Sequence, residues 1–191
     1  MAVRLEKVII KGEKVVISKL KDPSQQLVFE LSYPRSHQFI YDLDIFGFMM
    51  DENGVISKNA IIFYNNPSLD QDAVNYNERY ESEKISKSLE INLTKLPKDV
   101  HMISLALSVY CKNRSNNKEP LYVNFELKAI NKTQRNTMFI SIDKLDFVNY
   151  QSFILGEIYK YRDTWKYNAI KQEMDEGLMD VTGKMYQMKI Y

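Results

Sequence analysis

The chain has a single cysteine, Cys111, and only two histidines, His37 and His101, in 191 residues. One thiol closes no intramolecular disulfide, so the fold has to stand on its core, and a lone cysteine fits a reducing compartment. So few nitrogen and sulfur ligands leave no zinc site. A nucleophilic Cys–His pair would depend on spatial proximity that the sequence does not display. No nucleophile elbow, zinc-protease helix, Walker loop or dinucleotide fingerprint is present, so the chain is not expected to be an enzyme. Net charge is also scarce: 26 basic against 25 acidic residues leave +1. No global field recruits nucleic acid or an anionic membrane, and any such contact would need a local patch. No apolar run approaches the roughly 20 residues of a spanning helix, and residues 1–7 contain no signal-like apolar stretch. The expected location is cytoplasmic, which makes the sequon Asn92-Leu93-Thr94 a chance match.

What the chain does have is alternation. Its hydrophobic share of 45% and its length suit one globular domain spanning residues 1–191, with a core large enough to need no staples. Leu27, Phe29, Leu31 and Tyr33 alternate with more polar residues, and Leu43, Ile45, Gly47 and Met49 share one face of the next run. Asn53-Gly54 then supplies the strongest short hairpin signal, with 61–64 returning. Val8-Ile9-Ile10 and Val15-Val16-Ile17 flank Lys11-Gly12 as a second hairpin. Further strands are expected at 89–93, 102–110, 121–130, 138–142, 153–161 and 165–170. The fold class expected is all-β, a sandwich or barrel with few helices. Residues 143–150 read as one or two helical turns and 171–185 as the best helix. Two polar stretches, 65–87 and 112–120, read as long loops, of the kind that often carry function.

Three groups of residues carry candidate chemistry. Asp42 and Asp44 lie two apart on a strand, so both carboxylates share a face. Like charges so close call for a cation between them. Asn65, Asn66, Ser68, Asp70, Asp72 and Asn75 follow as an oxygen-rich segment. Hard oxygen ligands suit calcium, although the spacing is not that of an EF-hand. The third group is 159–167, where Lys160, Arg162 and Lys166 interleave with Tyr159, Tyr161, Trp165 and Tyr167. Such a pattern can stack on bases while meeting phosphates. It is equally the pattern of a core hairpin with Tyr159 and Tyr161 on one face and Lys160 and Arg162 on a cationic outer face, which is the favoured reading. Nucleic acid is therefore not the expected partner.

Taken together, several segments resemble the TerD family of tellurium-resistance and stress-response proteins. They include Ile10-Lys11-Gly12-Glu13-Lys14-Val15, Tyr41-Asp42-Leu43-Asp44 leading to Phe46-Gly47-Phe48, and Phe63-Tyr64-Asn65-Asn66. Asp72-Ala73-Val74, Ile91-Asn92-Leu93, Gly156-Glu157-Ile158-Tyr159, Trp165-Lys166-Tyr167 and Gly177-Leu178 follow in the same order. The resemblance covers nearly the whole chain. It implies a sandwich of two antiparallel sheets with a few short helices and a calcium-binding role in bacterial stress tolerance. It also implies action through other stress-resistance proteins in complexes near the membrane rather than catalysis.

The chain departs from the family at the expected calcium shell. Where the family carries a Gly-Asp-Asn-x-Thr-Gly segment and an acidic cluster, residues 75–87 hold no glycine. Arg79 stands about where an Asp is expected, and Ile85, Ser86 and Lys87 fall where the acids should be. Exchanging carboxylates for cations weakens a divalent site sharply. Calcium binding is thus expected to be weak or absent, with Asp42, Asp44, Asn65, Asn66, Asp70 and Asp72 as the residual ligand set. Arg79, Lys84 or Lys87 is expected to neutralise the aspartate pair instead. The alternatives are a calcium-gated switch of the same family and a nucleic-acid or phosphate-ligand module using Lys160, Arg162, Trp165 and Lys166.

Overall fold

The computed structural model describes residues 6–20, 22, 26–36, 41–111 and 121–185. Twelve strands form two antiparallel six-stranded sheets. The first sheet has the order β1 (Lys14–Lys19), β12 (Thr164–Met174), β11 (Ser152–Tyr161), β8 (Met102–Cys111), β3 (Tyr41–Met50), β4 (Ile56–Ile62). The second runs β10 (Asn136–Asp146), β9 (Tyr122–Asn131), β2 (Gln26–Pro34), β7 (Lys84–Asn92), β6 (Val74–Tyr80), β5 (Ser68–Leu69). The expected all-β sandwich is the observed fold.

Period-two alternation explains the inner faces. Leu27, Phe29, Leu31 and Tyr33 of β2 meet Leu43, Ile45 and Met49 of β3 in one core that also holds Trp165 and Tyr167. The Tyr167 ring lies 4.8 Å from Phe139 and 5.8 Å from Phe29, which locks the two sheets together through aromatic packing. A second, smaller core covers part of the outer face of the first sheet. There Leu178 and Val181 of the one α-helix among the described residues, α1 (Leu178–Met185), close over Phe48, Ala106 and Ile154. Burying each of the larger side chains, Leu178, Val181, Phe48 and Ile154, contributes about 1.5–3 kcal/mol.

The Asn-Gly hairpin forms as expected. Asp51 accepts the Asn53 and Val55 amides, Gly54 sits at φ +75°, and Gly47 and Phe48 pair with Ile62 and Ile61. The first expected hairpin does not form. Residues 8–10 and β1 flank a turn but pair elsewhere: the Ile9 amide and the Lys7 carbonyl bond Ile140 of β10 in the second sheet, whereas Gly12 and Glu13 bond Ala169 of the first. Residues 7–13 are therefore a strap across the sandwich, fastened where Lys171 donates to the Ile9 carbonyl and pairs with Asp143 at 3.2 Å.

Several other boundaries moved. The expected loop at 65–87 is mostly strand, because β6, covered by β5 only at Val74 and Asn75, has a polar exposed half and β7 carries a lysine at a core-facing position. β12 continues to Met174, so the helix expected over 171–185 begins at Leu178, and 143–146 extend β10 rather than coiling. The 112–120 stretch lies outside the described residues.

The face assignment at 159–161 is inverted, whereas Arg162 sits in the turn that follows and is exposed as expected. A bulge between Ile154 and Gly156 shifts the register of β11 against both neighbours. Lys160 consequently points to the core end of the sandwich, where it donates to the Val100 carbonyl and lies over Trp165, while Tyr161 is 45% exposed. Gly156 is required beside that bulge, because a Cβ there would lie 2.4 Å from the Asn168 carbonyl and 2.5 Å from the Tyr167 ring.

Candidate functional site: one lysine between two aspartates

β4 pairs with residues 47–50 of β3, which leaves the edge of β3 near Asp42 and Asp44 without a strand partner on that side among the described residues. Side chains of the opposite sheet fill this gap. Lys87, at an inward position of β7 between Ile85 and Leu89, reaches across and places its ammonium 2.8 Å from Asp42 Oδ2 and 2.5 Å from Asp44 Oδ1. Tyr33, the last core-facing residue of β2, donates its hydroxyl to Asp42 and accepts the Leu43 amide at 3.2 Å. The Lys87 side chain is 1% exposed, whereas Asp44 and Asp42 retain 19% and 34%. The ammonium is thus the dry member of the group and the carboxylates border solvent.

The electrostatics follow from that arrangement. Burial alone would lower the Lys87 pKa, but the hydrogen bonds and charges of Asp42 and Asp44 outweigh it and leave the group raised. Asp44 is also raised. Its burial is the largest cause, one shared ammonium only partly offsets it, and Asp42 and Glu78 add repulsion. Tyr33 is pushed well above the phenol range by burial and by the carboxylate it bonds. Lys87 therefore stands as a charged strut between the two aspartates at neutral pH.

The other residues named from the sequence are dispersed. Arg79 is exposed and pairs with Glu81 at 3.0 Å, and Lys84 borders a separate pocket with Tyr33, Glu83 and Phe125, so neither takes the position that Lys87 occupies. Asn66 donates its side-chain amide to the Ile61 carbonyl within a turn that also contains Asn65. Asp70 begins a short 3-10 turn ending at Asp72, which borders a different cleft with Asn75, Glu90, Lys95 and Lys132. No group of three or more metal-ligating Asp, Glu, His or Cys side chains occurs among the described residues. With a buried ammonium bonded to both aspartates and the remaining oxygens elsewhere, these residues do not fit the calcium shell that the resemblance implies.

The 159–167 hairpin likewise offers little to a nucleic acid. Trp165 and Tyr167 are each 1% exposed and belong to the core, so neither can stack on a base. Lys166 and Arg162 lie over the Tyr161 ring at 4.1 and 5.3 Å, and Lys160 is engaged as described. Sequence reasoning missed Tyr33 and Glu78. Nothing in the alternation distinguishes Tyr33 from an ordinary core residue; only its position at the strand end, where a hydroxyl can reach an edge, carries a signal.

Comparison with known proteins agrees with this architecture. A TerD domain model matches residues 1–184. The chain is 26% identical over 182 residues to general stress protein 16U of Bacillus subtilis (strain 168), covering 89% of this chain and 92% of that protein. It is 23% identical over 145 residues to the tellurium resistance protein TerD of Serratia marcescens, covering 74% and 76%. Among solved structures, a homologue of telluride resistance protein (TerD) from Streptomyces coelicolor A3(2) superposes with a TM-score of 0.55 at 10% identity, covering 86% of this chain and 99% of that one. With a family model spanning almost its entire length, the chain belongs to the TerD domain family.

Proposed function

We propose that this protein is a non-enzymatic stress-response component of the cytoplasm that acts through protein partners, and that Lys87 stands in it where a calcium ion would otherwise balance Asp42 and Asp44. The observation that carries this reading is the buried Lys87 ammonium bonded to both carboxylates. An ion entering the same gap would have to displace a cation that has no solvent-exposed alternative position without extracting its stem from the core. The names of the stress and tellurium-resistance relatives support the biological setting.

The non-enzymatic part has its own support. His101 immediately precedes β8 and Cys111 ends it, ten residues along one extended run and about 33 Å apart, while His37 lies outside the described residues. His101 and Cys111 are therefore too far apart to form a catalytic pair. Lys87 is locked in its charged form, so it is not an activated amine.

Calorimetric titration of the full chain with calcium chloride tests the reading. The expected result is no saturable heat below about 1 mM, the weak end of protein calcium sites. Tight, micromolar binding that disappears in Asp42→Asn and Asp44→Asn would refute it and favour a calcium-gated switch.

A further inference from the structure

The solvent side of the aspartate pair opens into a groove of about 430 Å³. Asp42 and Asp44 form its floor, Phe46, Tyr64, Tyr80 and Tyr110 its walls, and Ser108 lies beside Asp44 on β8. We infer that this groove receives a lysine or arginine side chain presented by a partner protein. The inference rests on the partner-mediated reading above and names the surface and the chemistry through which it works.

Two independent features of the groove point to a cation with an apolar stem. The first is its charge. Asp42 and Asp44 line the groove, Glu78 stands opposite Lys87 in the β6–β7 ladder and adds to the repulsion on Asp44, and the Lys87 ammonium binds both aspartates. Three carboxylates against one ammonium leave the groove negative. Asp44 Oδ1 holds Lys87, and its other oxygen has no partner among the described residues. The second feature is aromatic. Tyr64, Tyr80 and Tyr110 are 50%, 54% and 57% exposed, unusual for large rings gathered around one opening. The walls are also braced: Phe46 stacks on Phe63 at 5.1 Å, Phe63 meets Tyr64 edge-on at 5.3 Å, and the Tyr80 hydroxyl donates to Glu78. Ring faces around a carboxylate attract a cation more strongly than either element alone, and they cover the methylene stem of a long basic side chain. A bare metal ion would gain nothing from the rings.

The test is a nuclear magnetic resonance titration of the isotope-labelled full chain with three capped hexapeptides that differ at one central position: arginine, lysine or norleucine. Saturable shifts at the amides of Asp44, Tyr64, Ser108 and Tyr110 are expected with the two basic peptides, weakening as salt is added, and none with norleucine. Tyr110→Ala and Asp44→Asn are each expected to weaken binding about tenfold, with the thermal midpoint of Tyr110→Ala unchanged because its ring is at the surface. Equal response to norleucine, shifts elsewhere on the molecule, or unaltered binding in Tyr110→Ala would overturn the inference. So would spermidine saturating the groove while the basic peptides stay silent, which would assign it to a small polyamine. Cross-linking in stressed cells separates the two readings. A partner captured equally by wild type and Tyr110→Ala leaves the partner-mediated function standing and removes the groove. Failure to cross-link any partner overturns both.

Discussion

Replacing Lys87 with methionine keeps most of the volume of the stem and deletes the charge, so it isolates what the ammonium does. At the observed separations of 2.8 and 2.5 Å, and with an effective dielectric of about 20, each Lys–Asp attraction is on the order of 6 kcal/mol before desolvation. Burying the ammonium cancels much of that. Removing one member of a buried ion group nevertheless costs about 3–5 kcal/mol, because the surviving charges lose their compensation. The carboxylates border water and can rehydrate in part, which brings the expected loss to about 2–4 kcal/mol. For a domain of this size that corresponds to a fall in Tm of roughly 4–16 °C. Thermal and urea unfolding followed by circular dichroism would read it. Adding Asp42→Asn and Asp44→Asn to Lys87→Met should restore most of the loss, since an uncharged set needs no counter-ion. The reasoning fails if Lys87→Met unfolds at the wild-type midpoint. It also fails if the triple variant is less stable than the single one by the sum of separate losses, for then the three charges would not act as a unit.

Two further outcomes follow from the same geometry. Gly156→Ala should destabilise by about 3 kcal/mol or more, since the new methyl meets a backbone carbonyl at 2.4 Å that cannot swing aside; urea unfolding would show it, and a loss below 1 kcal/mol would mean that the β11 bulge yields. Asp44 is held above the usual carboxylate value, so the folded chain binds its proton more tightly than the unfolded chain. Its contribution to stability therefore falls as pH rises from about 3.8 through the raised folded value. The stability difference between wild type and Asp44→Asn should decline across that window, and an increase would contradict the burial argument. Lys87, raised in its turn, should show no loss until pH climbs above about 10.5.

The fold was legible where one physical rule governed a segment. Alternation located β2, β3, β8, β9, β11 and β12, and Asn53-Gly54 located the β3–β4 turn, because half-buried strands and positive-φ turns leave local marks. It was illegible where a segment answered to two neighbours at once. Residues 7–13 carry the pattern of a hairpin arm, yet their amides and carbonyls are divided between β10 and β12, a choice that only the stacked sheets create. At 159–161 the alternation holds but its phase is opposite to the expected one, because a bulge upstream turns over the strand residues that follow it.

The site shows the same limit in a sharper form. Asp42 and Asp44 announced a missing cation through their spacing, but three bases in 75–87 were equal claimants in the sequence. Burial decides among them. Arg79 lies on the polar half of an edge strand, and Lys84 stands one residue outside the inward set, so both keep their hydration by remaining where they are. Lys87 falls in the inward phase Ile85, Lys87, Leu89, Ile91, where an unpaired ammonium would be intolerable. Its position is stable only because β4 stops short of Asp42 and Asp44, leaving two carboxylates within reach across the gap between the sheets. A polar residue in the apolar phase of a strand was thus the clearest sign of the site. It was hidden only because 65–87, read for composition rather than phase, passed for a loop.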